Sequence, residues 1–180
     1  MAWAADVLSF WFETLAPAQW FKKDDGVDTE IRARFLGLHE QIASSPDDVL
    51  LAAADTALAA IVVLDQFPRN LFRNSARSFA TDAKALRLAD AAVARGIDQG
   101  LTRDQRLFIY LPFEHSEDLA MQERSVALIG ALGNAELTRY AVAHQVIIER
   151  FGRFPHRNAV LGRASTAEEL AFLQEPMSSF

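Results

Sequence analysis

Two stretches of this chain bring an aromatic ring, a proline, an arginine and an asparagine close together: "LDQFPRNLFR" from Leu64 to Arg73, and "GRFPHRN" from Gly152 to Asn158. A third proline stands in "FIYLPFEHSED", just ahead of Glu114, His115 and Glu117. These residue types can do chemistry together. The imidazole of His115 or His144 can act as a general base, a carboxylate such as Asp65 or Glu117 can orient it, and Arg69 or Arg157 can stabilise an oxyanion. Arg153 and Arg157 can also grip a carboxylate or phosphate through two parallel N–H groups. Proline sets where such groups are presented. Pro68, Pro112 and Pro155 have no N–H for the carbonyls of Leu64, Phe108 and Phe151, so a helix is predicted to end or kink at each. Polar residues able to use the freed acceptors stand beside each break: Gln66, Arg69 and Asn70, then Glu114 and His115, then His156, Arg157 and Asn158.

Other chemistries lack their residues. There is no nucleophile elbow of the GxSxG kind and no glycine-rich phosphate loop. The chain has no cysteine, which removes disulfides, thiolate metal ligands and cysteine nucleophiles, and which fits a reducing cytoplasm. Its four histidines, at positions 39, 115, 144 and 156, are scattered, and none forms an HExxH pair. No metal and no cofactor are expected. Glu114 and Asp118 share a helical face by spacing and read as a solvated face. A formal net charge of -6 argues against a nucleic-acid partner, because neutralising phosphates takes a concentrated excess of Lys and Arg. The apolar run from Ala57 to Leu64 is far short of the ~20 residues that span a bilayer, and the opening carries Asp6 and Glu13 rather than a basic leader. A cytoplasmic protein is the expectation. Nothing in the sequence sets an oligomeric state.

Positioning these groups is the task of helices. With 180 residues, 51% hydrophobic composition, 13 Phe and 3 Trp, a single domain over residues 1–180 can bury roughly 70% of its unfolded surface. Periodicity near 3.6 runs almost throughout, with no convincing alternating strand. About eight helices are predicted: Ala4 to Leu15; a second following Asp28; a third after "SSPDD" running toward the first proline break; "TDAKALRLADAAVAR", closed by Gly96; a fifth opened by the Thr102–Gln105 capping box and broken by Pro112; Ser116 to Leu132; a seventh capped by Asn134 and reaching Phe151; and a short last one opened by a box at Ser165–Glu168 or Thr166–Glu169. Short connections imply antiparallel helix pairs. No clean 34-residue repeat is present.

The inward stripes carry polar residues. Leu51, Ala54, Leu58, Ile61 and Asp65 form one, His115, Leu119, Gln122, Val126 and Ile129 another, and Leu137, Ala141, His144, Ile148 and Phe151 a third. Asp65 is therefore predicted to be buried and paired, with Arg69, Arg73, His115 or His144 as partner, because an isolated interior carboxylate is too costly to keep. Arg153 and Arg157 can pair with carboxylates as well, Glu149 being a candidate.

The phrases "VLSFWF", "WFKKDDGVDTEIRARF", "LDQFPRNLFR", "FATDAKAL", "FIYLPFEHSEDLAMQ" and "HQVIIERFGRFPHRNAVLGRASTAEELAFL", in this order over nearly the whole chain, resemble the domain of unknown function 924 family. The resemblance implies an all-α fold, antiparallel helix pairs in a tetratricopeptide-like right-handed array, mainly bacterial and without an established activity. The family's polar pattern falls on Asp65, Gln66, Arg69, Asn70, His115, Glu117, Gln122, Arg153, Pro155, His156, Arg157 and Asn158. One departure is Glu13 after "FWF", where family members often carry glycine.

Three functions follow from these residues. In the leading one, an inward polar cluster of Asp65, Gln66, Arg69, Asn70, Arg73, Glu114, His115, Glu117, Gln122, His144, Arg153, His156, Arg157 and Asn158 holds a small anionic molecule or a peptide terminus. In the second, the same cluster serves a hydrolase-like enzyme built on His, Asp or Glu, and Arg. In the third, the cluster pins helix ends and the outer faces bind other proteins.

Overall fold

Helical periodicity becomes helix almost everywhere. The computed structural model describes residues 1–179, and among the described residues there are helices and turns but no strand. Among these residues no helix is long and apolar enough to cross a membrane. The chain divides into two compact units, Met1–Arg73 with Arg77–Pro112, and Asn74–Ala76 with the chain from Phe113 on.

The first unit is arranged around one buried helix. α1 (Ala2–Ser9) runs into a π-helical turn, Phe10–Thr14. α2 (Asp25–Ser44) and α3 (Asp47–Leu50) follow, and then α4 (Ala54–Ile61), a second π turn (Val62–Gln66) and α5 (Phe67–Leu71) form one continuous helical path. Every residue from Thr56 to Pro68 is buried, as expected of a helix that is apolar all round. α1, α2 and α6 (Asp82–Ala94) pack around this path. Aromatic rings fill the interior: Phe35 lies 5.0 Å from Phe67, and Trp11 lies edge-on to Phe108 at 5.6 Å between centroids. Phe108 belongs to α7 (Arg103–Glu114), whose entry is the Thr102–Gln105 box. Lys84 on α6 closes the C-terminal end of α2 by donating to the carbonyls of Ile42 and Ala43, each at 3.0 Å.

In the second unit, α8 (Leu119–Gly130) and α9 (Ala135–Phe151) are joined by the short turn 131–134 and pack on each other. Asn134 caps α9 as its sequence predicts, accepting from the N–H groups of Glu136 and Leu137. A 3-10 turn, Pro155–Arg157, leads to α10 (Ala167–Phe172). Of the two alternative boxes, Thr166–Glu169 is the one that forms. Ile147, Ile148, Phe154 and Phe172 make the apolar core of this unit.

Five expectations are corrected. α2 starts at Asp25 because Asp24, three residues before Val27, accepts from Gly26 and Val27; Asp28 is an interior residue of its first turn. The third helix is broken after Leu50, so Leu51 lies outside the helical path that runs from Ala54 to Asp65. Pro112 does not break α7, which continues to Glu114. An interior proline costs about 3 kcal/mol, but Phe108, Ile109, Tyr110, Leu111 and Phe113 are all buried, and each is worth roughly 1.5–3 kcal/mol. The stripe through Leu119 fails because Asp118 caps α8, which leaves His115 outside the helix and Leu119 exposed. Gly152, with φ 66°, ends α9 three residues before Pro155.

Candidate functional site

Pro68 is accommodated by the π turn rather than by a helix end. The N–H of Phe67 bonds the carbonyl of Val62, and Pro68, the second residue of α5, has no donor to offer Leu64. The hydroxyl of Thr81 takes that acceptor at 2.6 Å. This wide turn leaves Asp65 wholly buried at 0% exposure.

Carboxylates then claim the arginines of the first motif. Asp65 accepts from Gln66 Nε2 at 2.6 Å, and Arg69 Nη2 lies 3.9 Å from its Oδ1. Arg69 is also held by Asp82, with Nη2 donating to Oδ2 at 2.9 Å, and it donates to the carbonyl of Ser78 at 2.6 Å. Burial pushes its guanidinium pKa down, but the charges of Asp82 and Asp65 outweigh this and hold it above its ordinary value. Arg73 donates two N–H groups to Asp28, Nη2 to Oδ1 at 2.7 Å, and Asn70 donates to the same Oδ1 at 2.8 Å. Burial raises the Asp28 pKa, yet these hydrogen bonds leave it below its ordinary value. Asp65, Gln66, Arg69, Asn70 and Arg73 thus sit in a network whose cations and anions answer one another.

The second unit carries the other predicted residues on a different plan. Phe154, fully buried, is its hub. Arg157 places its guanidinium 4.5 Å from the centre of that ring, His156 lies 5.6 Å from it on one side, and His144 meets it edge-on at 5.6 Å. The His115 ring is 6.4 Å from that of His144. His144, on α9, is placed by its backbone: Nδ1 is 2.9 Å from the carbonyl of Tyr140. A carbonyl only accepts, so Nδ1 carries the proton and Nε2 is the basic nitrogen. Glu114 Oε1 is 3.4 Å from the same Nδ1.

The electrostatics follow from this crowding. Burial, against a smaller pull from the Tyr140 carbonyl, and then the charges of His115, Arg157 and His156, push the His144 pKa down to about 3. Burial and the Arg157 charge push His156 to about 4. Both imidazoles are neutral at neutral pH. The Nδ1 of His156 is buried and has no hydrogen-bond partner among the described residues.

Flanking this group are structural pairs. Glu117 accepts two N–H groups from Arg163, at 2.7 and 2.9 Å, and the N–H of Phe154 at 2.8 Å. Burial raises its pKa, but these bonds hold it below its ordinary value. Arg163 also donates to Asn158 Oδ1 at 2.9 Å. Arg153 pairs with Glu169 at 2.6 and 2.9 Å, not with Glu149, and that hydrogen bond holds the Glu169 pKa at about 2. Gln122 donates to the carbonyls of Glu114 and Ser116, at 2.7 and 2.6 Å. Glu114 is buried rather than solvated, and Asp118 is a helix cap. Among the described residues no group of three or more His, Asp or Glu is arranged to hold a metal ion.

Sequence reasoning missed Asp28, Asp82, Arg163 and Glu169 as partners. Glu169 carried a signal, since the Thr166–Glu169 spacing already gave its side chain a task. Asp28 and Asp82 stand in helix first turns, where an acid reads as a dipole or cap residue, so their pairing with distant arginines left no local trace.

The family model described as "Bacterial protein of unknown function (DUF924)" matches residues 7–177. A solved structure of a protein of unknown function from Agrobacterium tumefaciens is similar to this chain at 44% identity and a TM-score of 0.91, over 96% of this chain and 97% of that one. No curated protein matches.

Proposed function

Because the chain belongs to the DUF924 family of bacterial proteins of unknown function, we propose its role from its own residues: the second unit is a binding module that holds a small anion around Phe154, through Arg157, His115 and His156. A carboxylate, a phosphate or the terminal carboxylate of a peptide has the required chemistry. The observation that carries this reading is the gathering of two imidazoles and a guanidinium about one buried ring, with the His115 ring 6.4 Å from that of His144. Groups that share a tendency to positive charge repel one another when protonated, and an anion relieves that repulsion. The paired helices α8 and α9 supply the scaffold, and the reading takes the protein as a tetratricopeptide-like array working in the cytoplasm.

The first-unit network supports a narrower site than the sequence suggests. Arg69 and Arg73 already answer Asp82 and Asp28, so Asp65, Gln66, Arg69, Asn70 and Arg73 are assigned to holding helix ends together. The hydrolase-like alternative is less favoured, since a base with a pKa of about 3 is poorly matched to proton abstraction at neutral pH.

A thermal-shift screen of acetate, sulfate and methyl phosphate tests the proposal. An anion at about a hundred times its dissociation constant should stabilise by roughly 2.7 kcal/mol. Arg157→Gln should remove the shift, and Arg73→Gln should leave it. A screen in which no anion shifts the melting temperature, or in which Arg157→Gln keeps the whole shift, sinks the reading.

A further inference from the structure

The charges near Phe154 set a condition on what can bind there. Arg157 and Arg163 supply two formal positive charges, and Glu114 and Glu117 supply two formal negative ones. With His144 and His156 neutral, the group of these two arginines and two glutamates carries no net charge. An anion entering it would leave a partly buried excess of negative charge, which is costly where the surroundings are poorly polarisable. One protonated imidazole removes that excess.

His156 is the imidazole placed to take the proton. It sits beside Phe154 at 5.6 Å, and its buried Nδ1 has no hydrogen-bond partner among the described residues. His144 is differently committed, its Nδ1 proton lying against the Tyr140 carbonyl. The groups acting on His156 are Arg157, His115 and Arg163, which oppose a positive charge, and Glu117, which favours one. Three of these four oppose protonation in the empty site, and a bound anion shifts the balance.

We infer, resting on the anion-binding reading above, that the site takes its anion together with one proton, which His156 carries. The step is an addition without bond cleavage: the anion and a proton from solvent enter, and neutral His156 becomes an imidazolium beside the anion. A weak acid is in effect bound as its acid. The site then senses pH through its ligand.

In the empty site burial and Arg157 hold the His156 pKa near 4. Proton linkage then makes affinity climb by up to about tenfold for each pH unit lost, from the His156 pKa of the occupied site down to that of the empty one.

Calorimetric titration of the full chain with sulfate, whose own charge is constant across this range, tests the inference. It should be run at several values between about pH 8 and about pH 5.5, in buffers of differing ionisation enthalpy. The expected result is binding that tightens as pH falls, with uptake approaching about one proton per sulfate. His156→Gln should flatten the pH dependence and abolish the uptake. Sulfate binding with no proton uptake and a flat pH profile would overturn the proton coupling and leave the anion reading standing. Full uptake retained in His156→Gln would overturn the assignment to His156. No binding at any pH would overturn both this inference and the anion reading.

Discussion

Arg163 holds Glu117 through two hydrogen bonds of 2.7 and 2.9 Å across 46 residues of sequence, and the same carboxylate accepts the N–H of Phe154 at 2.8 Å. The pair therefore fixes the backbone at the hub of the candidate site. Arg163→Met should lower the stability of the protein by about 2 kcal/mol, since it leaves a half-buried carboxylate with only part of its partners. A urea denaturation midpoint equal to that of the parent would show that the pair does not hold the site.

Asp65 predicts a larger effect. It is wholly buried, and its charge is answered by Gln66 and Arg69. Asp65→Asn should cost on the order of 3 kcal/mol, the usual result of removing one partner from a buried pair. Unchanged denaturation would mean that Arg69 is satisfied by Asp82 alone.

Thr81→Val tests how Pro68 is tolerated. The valine keeps the shape and removes the hydroxyl that serves the Leu64 carbonyl, so a buried acceptor loses its donor at a cost of about 1–2 kcal/mol. The companion Thr29→Val, whose exposed hydroxyl donates only to the Asp25 carbonyl within α2, separates this from a general effect of removing hydroxyls. Equal losses in the two variants would contradict the role given to Thr81.

Acid should weaken the fold in two stages. His39, His144 and His156 all have folded pKa values below the ordinary 6.5, chiefly through burial, with His144 at about 3 and His156 at about 4. The unfolded chain binds more protons than the folded one below that value, so stability is complete above 6.5 and is lost as pH falls toward the folded pKa values. By about pH 5, His144 and His156 should each have removed about 2 kcal/mol. A second loss follows below 4.5, as Glu117 and Glu169, whose folded pKa values are depressed, take up protons. Melting temperatures recorded from neutral to acid pH should fall before the carboxylates titrate. A flat profile between pH 6.5 and about 5 would show that these histidines are not buried neutral.

Much of this architecture was legible in the sequence because its signals are local. Asn134 and the Thr102–Gln105 box sit where the helices begin, Gly96 takes the left-handed conformation after α6, and the family resemblance holds over residues 7–177. The inward positions of Asp65 and His144 follow from apolar spacing and are met. What escaped is set by distance or by a small change of register. The π turn at Val62–Gln66 inserts a wider turn without disturbing the apolar run, so nothing in the run announces it. Pro112 looked like a terminator because a proline removes one hydrogen bond, while the burial that outweighs it depends on packing elsewhere. Arg73 finds Asp28 across 45 residues, and no periodicity encodes such a partner.

The binding claim is tested most directly by following the histidine ring resonances of isotopically labelled protein during titration with sulfate. His39 lies on α2 of the first unit, and His115, His144 and His156 lie in the second. Saturable shifts of His115 and His156 are expected, with His156 moving toward its protonated form, while His39 stays in place. Shifts of all four rings in proportion to salt, or no shift of His156 at any sulfate concentration, would contradict it.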